Sequence, residues 1–119
     1  ELNLQNRVKF VGFCDNPWQW YAGADCFLLS SRWEGLPNVV LESLACGTRV
    51  ISTIESGGVV EIAKQTAEGG LVVVSSDSSF IDEMLKVERN PVKKIKESLL
   101  PSMYHIESSV LIIERLIEY

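Results

Sequence analysis

Histidine is nearly missing from this sequence: His105 is the only one in 119 residues. Cysteine is sparse too. Cys14, Cys26 and Cys46 stand far apart, with no C-x-x-C spacing. Zinc wants closer thiol pairs or added histidines, so no metal site is expected. The three thiols read as reduced and partly buried, as in a cytosolic protein. There is no long basic run, and the formal net charge is −5. That argues against nucleic acid as a partner, because a phosphate backbone is met by clustered Lys and Arg. No apolar stretch reaches the ~18 residues of a membrane-crossing helix, and the first residues do not have the form of a signal peptide. Internal repeats and low-complexity linkers are lacking as well. What is present is an ordinary globular composition, 46% hydrophobic and 23% charged, with length enough for one domain and a modest core.

Arg7 to Phe13, RVKFVGF, predicts a short strand over Val8–Val11. Turn residues Cys14-Asp15-Asn16-Pro17 follow. Trp18 to Gly23 predicts a short helix, with Asn16 as its cap and Pro17 at its first position. Asp25–Ser30, Arg49–Thr53 and Leu71–Val74 predict strands without alternation. A short helix near Val59–Lys64 is opened by Gly57-Gly58. Buried strands separated by helices describe a parallel sheet covered on both faces. From residue 76 onward the pattern is helical. Ser76 or Asp77 caps a helix through Phe80, Met84 and Leu85 to Val87. Asn90-Pro91 starts another, with Val92, Ile95 and Leu99 on one face and Lys93, Lys94 and Lys96 on the other. Glu107 to Tyr119 is a last amphipathic helix, with Val110, Ile113 and Ile117 on its inner stripe.

The stretch most suited to chemistry is SSRWEGLPNVVLESLACG, from Ser30 to Gly47. It predicts a strand end, a loop and one helix. Pro37 suits the first helical position and Gly47 the position just past the end. Val39, Val40, Leu41, Leu44 and Ala45 make the helix apolar nearly all round, so it should be packed on more than one side. Its first N–H groups, from Asn38, Val39 and Val40, would leave the helix with the positive end of its dipole, a place for a phosphate. Glu34 lies in the loop before it. Glu42 lies inside it, roughly 8 Å along the axis from Pro37 at ~1.5 Å per residue. Acids so spaced suit different parts of one extended ligand, with an anion between them.

The string EGLPNVVLE is similar to the E-x7-E signature of the group 1 (family 4) retaining glycosyltransferases, which have the GT-B fold. ADCFLLSSRWEGLPN before it and ESLACGTRVIST after it resemble that family too, in the look of bacterial enzymes that build surface polysaccharides and lipid-linked oligosaccharides. The resemblance implies an α/β, Rossmann-like parallel sheet with helices on both faces. It also implies that the chain is part of the C-terminal half of a GT-B enzyme: one incomplete nucleotide-sugar-binding domain over residues 1–119, with 76–119 its helical end. The acceptor domain, and the Arg and Lys that neutralise the diphosphate in the family, would lie outside it. Arg32 is the cation nearest the signature.

By resemblance, Glu42 takes both ribose hydroxyls and the N–H groups of Asn38 and Val39 take the β-phosphate. Glu34 holds the donor sugar, with the backbone around Leu36 and Asn38 closing the pocket and Gly35 and Pro37 counted with them in the sugar and diphosphate site. The Cys14 backbone meets the base. The expected partners are a UDP-sugar and, through the other domain, a glycan or lipid-linked acceptor. No cofactor or metal is implied. The expected location is the cytoplasm, at the inner face of the membrane if the acceptor is lipid-linked. Two other functions compete: a nucleotide-sugar-binding remnant without catalysis, and an unrelated α/β interaction domain. Singly, each residue has a plainer use. Glu34 alone would be a solvated loop acid, and Glu42 an exposed helix former. Trp18, Trp20 and Tyr21 read as packing, and Trp33 as packing or cleft lining. His105 reads as a surface or helix-start residue. Glu61 reads as the first turn of a helix, with donor contact as the lesser reading. The lysine face reads as solvated, with an anionic membrane as its second use.

In the family's strand order 3-2-1-4-5-6, Val8–Val11 would be separated from Cys26–Leu29 by two strands that lie outside this sequence. Unpaired strand groups are costly when buried. Pairing with a second molecule or a further segment is the favoured expectation. A direct shift onto Cys26–Leu29 would pull Cys14 away from Glu42.

Overall fold

A computed structural model describes residues 3–89 and 96–107. Helices and strands alternate along it: α1 Trp18–Gly23, β1 Phe27–Leu29, α2 Asn38–Ala45, β2 Val50–Thr53, α3 Val59–Gln65, β3 Leu71–Val74 and α4 Asp77–Leu85. The strands are parallel, in the order β1-β2-β3. The rungs Phe27–Val50–Leu71 and Leu29–Ser52–Val73 share one face, and Leu28–Ile51–Val72 shares the other. α2 and α3 cover the first face, where Val40, Leu44, Val59 and Ile62 form one buried cluster with Leu29, Val50 and Leu71. α4 packs on β2 and β3. It lies on the second face, where Met84 and Leu28 line a common hollow. Burial on both faces is why the strands read as continuous apolar runs. Each fully buried Leu, Ile or Val contributes ~1.5–3 kcal/mol relative to exposure.

α2 is the pivot of this arrangement, and at its C-terminal end the carbonyls of Glu42, Ser43 and Leu44 are bonded. Gly47 sits at φ +71 just past the helix. Its N–H donates to the Leu44 carbonyl at 2.9 Å, and the Thr48 N–H donates to the Ser43 carbonyl at 3.0 Å. This pair of bonds is the Schellman motif, which closes a helix with a left-handed residue. The Leu99 N–H adds a bond to the Leu44 carbonyl at 2.8 Å. Lys96 Nζ donates to the Ala24 carbonyl and, at 2.8 Å, to Thr48 Oγ1. Residues 96–100 thus form a strap across the end of α2. They are not helical, and Lys96 is half-buried. Both points correct the sequence expectation. The Leu44 carbonyl gives the Leu99 N–H, and Ala24 and Thr48 give Lys96, partners that another helical turn would not supply.

Other expectations differ in detail. Residues 8–11 form no strand, and the direct pairing with β1 does not occur. Without a neighbouring ladder, β-type residues alone do not make a strand. Val8, Phe10, Val11 and Phe13 are exposed. At α1, Pro17 occupies the cap position and Asn16 makes no capping bond. At α4, Ser76 is the cap, its Oγ accepting from the Ser79 N–H at 3.2 Å. The helices expected over residues 90–95 and 108–119 lie outside the described residues.

A methyl group at Gly47 would meet the Glu97 carbonyl oxygen and Lys96 Cβ, whereas one at Gly23 meets nothing within 4 Å. Gly47→Ala is therefore expected to lower stability by about 2 kcal/mol, from the left-handed backbone and the clash. Gly23→Ala should stay within ~0.5 kcal/mol of the parent. Urea unfolding of the three proteins checks this; equal midpoints would contradict it.

Candidate functional site

Residues 30–37 connect the carboxyl end of β1 to α2, the side of an open parallel sheet on which ligands bind. The connection is fixed by the segment after β2. The Ser31 carbonyl accepts from Thr53 Oγ1 at 3.3 Å and from Ser56 Oγ at 2.7 Å. Gly57, at φ +66, lies against the Glu34 carbonyl, and Gly58 lies against the Gly35 carbonyl. A Cβ at either glycine would collide there. The sequence expectation gave this pair only the opening of a helix. Their closer task is to let the Glu34 loop settle on bare backbone. The signal was two adjacent glycines straight after a strand.

Pro37 is buried and is the cap of α2, one position earlier than expected. Its carbonyl accepts from the Val40 N–H at 2.9 Å. Val40 is thereby removed from the expected anion-facing set. The N–H groups of Asn38 and Val39 have no hydrogen-bond acceptor among the described residues, and no side chain caps them. They carry the positive end of the helix dipole. Glu34 is half-buried, and its carboxylate makes no hydrogen bond or ion pair among the described residues. Gly35, Leu36 and Asn38 are exposed, and Val39 is half-buried.

Glu42 is half-buried on α2, and its Oε2 accepts from the Tyr21 hydroxyl at 3.1 Å. Tyr21 does pack, edge-on to Phe27 and Trp18 with ring centres 5.5 and 6.3 Å away. Its hydrogen bond to Glu42 was not foreseen, since nothing in the spacing of residues 21 and 42 signals it. Partial burial, and then the hydrogen bond and charge of Glu42, push the Tyr21 hydroxyl up to about 12.

The Cys14 thiol donates to the Asn16 carbonyl at 3.3 Å, which leaves the backbone role expected of Cys14 untouched. Trp33 is 91% exposed. With Ser30, Arg32, Thr53, Glu55 and Asp77 it lines a cavity of about 610 Å³ at the strand ends, which neither Glu34 nor Glu42 lines. Glu61 pairs with Lys64 at 2.8 Å on the surface. His105 is exposed, with Nε2 at 3.2 Å from the Leu100 carbonyl. Among the described residues no three His, Cys, Asp or Glu side chains converge as metal ligands. The site therefore offers two open amides that lie in sequence between the carboxylates of Glu34 and Glu42. It can hold an anion at the helix start and hydroxyl groups at both acids.

The profile of the family described as Glycosyl transferases group 1 matches residues 1–100. Over 102 residues the chain is 33% identical to the N-acetylgalactosamine-N,N'-diacetylbacillosaminyl-diphospho-undecaprenol 4-alpha-N-acetylgalactosaminyltransferase of Campylobacter jejuni, covering 78% of this chain and 28% of that protein. It is 31% identical over 104 residues to the N-acetyl-alpha-D-glucosaminyl L-malate synthase of Bacillus anthracis, covering 82% and 27%. It is 27% identical over 96 residues to the UDP-Gal:alpha-D-GlcNAc-diphosphoundecaprenol alpha-1,3-galactosyltransferase of Escherichia coli, covering 80% and 24%. The chain thus spans about a quarter of the length of these relatives. No solved structure matches it significantly.

The Tyr21–Glu42 bond has a pH signature. The Tyr21 pKa is raised on folding, so its contribution to stability is complete below the unfolded value near 10. It is lost as pH rises through about 12. Ultraviolet titration of tyrosinate is expected to show a late step from Tyr21, near pH 12. Substituting Tyr21 with Phe should remove that late step, and its persistence would contradict the assignment.

Proposed function

Because the chain belongs to the group 1 glycosyltransferases, a family of the GT-B fold, we propose that it is the donor-binding portion of an enzyme that moves a sugar from a UDP-sugar to a glycan or lipid-linked acceptor with retention. One observation carries this reading: the Asn38 and Val39 amides stand open at the start of α2, between Glu34 and Glu42. Glu42 holds the ribose diol, a bidentate task suited to a carboxylate. The two amides take the β-phosphate. Glu34 holds hydroxyls of the donor sugar, with Gly35, Leu36 and Pro37 shaping its pocket. Departure of the diphosphate is the step helped, because the amides and the helix dipole are aimed where negative charge grows. No protein nucleophile takes part; the acceptor attacks on the face the phosphate leaves.

The names of the relatives favour these substrate classes. One names UDP-Gal as donor, and two name diphospho-undecaprenol acceptors. A third names a malate product, so the acceptor is set outside this portion. Acceptor binding is assigned to the part of the enzyme beyond this chain, and with a lipid acceptor the proposed location is the cytoplasmic face of a membrane. Cys14 remains the proposed backbone partner of the base.

In an enzyme that contains this chain, Glu42→Ala is expected to weaken donor binding about tenfold or more, since ribose is held alike in ground and transition states. Glu34→Ala should chiefly lower kcat, by about 10²-fold, because it acts near the breaking bond. Steady-state kinetics of both variants decide. A pure KM effect at Glu34 with unchanged kcat would contradict its role. The 119-residue chain alone is expected to show no transfer, since one substrate site cannot supply the proximity of two. Turnover near ~1 per second with an added acceptor would overturn that.

A further inference from the structure

We propose that Tyr21 is a positioning residue that fixes the plane of the Glu42 carboxylate for a ribose diol, and so makes the site prefer ribonucleotides over 2′-deoxyribonucleotides. This rests on the donor-binding reading above. The terminal torsion of a glutamate is broad and two-fold, so a carboxylate without a partner swings through many planes. The Tyr21 hydroxyl, donating to Glu42 Oε2 at 3.1 Å, pins one oxygen. An ionised carboxylate has about four acceptor sites. Oε1 and the second site of Oε2 stay open for two vicinal hydroxyls in a plane set beforehand. Pre-setting removes an ordering cost that ligand binding would otherwise bear.

The surroundings of Tyr21 serve this task better than they serve the core. α1 contains no fully buried residue, so it adds little to core stability. Yet it is held firmly at Tyr21. The ring is gripped edge-on by Phe27 of β1. The Tyr21 carbonyl accepts from Thr48 Oγ1 at 2.6 Å. Thr48 Oγ1 in turn accepts from Lys96 Nζ at 2.8 Å, which also bonds the Ala24 carbonyl one residue beyond α1. A short surface helix is thus tied to the end of α2, with its one hydroxyl-bearing ring directed at the Glu42 side chain. Replacing Tyr21 with Phe keeps the ring contacts with Phe27 and Trp18 and gives up only the hydrogen bond to Glu42.

The test compares UDP with 2′-deoxy-UDP on the wild-type chain, Tyr21→Phe and Glu42→Gln, by titration calorimetry, beside tyrosinate titration without ligand. Tyr21→Phe should weaken UDP binding about tenfold and 2′-deoxy-UDP far less, with only a small fall in the urea midpoint from the one lost hydrogen bond. Glu42→Gln should bring the late tyrosine ionisation down toward the ordinary range. If Tyr21→Phe loses both nucleotides equally or neither, the positioning role is overturned while donor binding stands. If the tyrosine ionisation ignores Glu42→Gln, the contact itself is refuted without reference to any ligand. If wild type binds neither nucleotide, the donor reading fails and takes this proposal with it.

Discussion

The structure depends on the unequal treatment of the two ends of α2. At its C-terminal end the carbonyls of Glu42, Ser43 and Leu44 accept from Cys46, Thr48, Gly47 and Leu99. That end is neutralised by backbone alone. At its N-terminal end the Pro37 carbonyl takes Val40, and the amides of Asn38 and Val39 are left open. Between the ends, Val40, Ser43 and Leu44 are fully buried against the sheet. A helix this well fixed cannot turn away from whatever binds at its start. Its dipole therefore acts as a stationary positive charge, and such preorganisation is what makes an anion site effective.

The two carboxylates inherit their positions from different neighbours. Glu34 sits on a loop whose backbone rests on Gly57 and Gly58 and whose Ser31 carbonyl is held by Thr53 and Ser56. Its place is set by the segment after β2. Glu42 rides on α2 itself, and its side chain is directed by Tyr21 from α1. One acid is fixed through main chain and the other through a side-chain contact. Exchange at Gly57 or Gly58 would move Glu34 and leave Glu42 in place. Exchange at Tyr21 would free Glu42 and leave Glu34 in place. This separability lets the two acids be examined apart.

Much of this was legible in the sequence because it is local. Pro37 and Gly47 bracket α2 to within a residue, and the apolar runs at 27–29, 50–53 and 71–74 mark the sheet. The Glu34–Glu42 spacing belongs to a recognisable string. What escaped is long-range. Lys96 looked like one of a row of solvated lysines, but it reaches residues 48 and 72 positions away. Leu99 fitted a helical stripe, but its N–H completes the end of α2. Residues 8–11 have strand composition, yet a strand exists only with a partner ladder, and composition cannot supply one. Tyr21 was seen as an aromatic to be packed; its hydroxyl found Glu42 only once α1 had docked on α2. Periodicity carries neighbours three or four apart, and contacts between elements lie beyond it.

The central claim is that the start of α2 receives the diphosphate of a nucleotide. Amide-resolved nuclear magnetic resonance of the chain during titration with UDP tests it most directly. The Asn38 and Val39 amide signals are expected to move most, with Glu34 and Glu42 next and the segment around His105 unmoved. A titration in which UDP shifts the residues lining the Trp33 cavity, or any other region, and leaves the Asn38 and Val39 amides unchanged would contradict it.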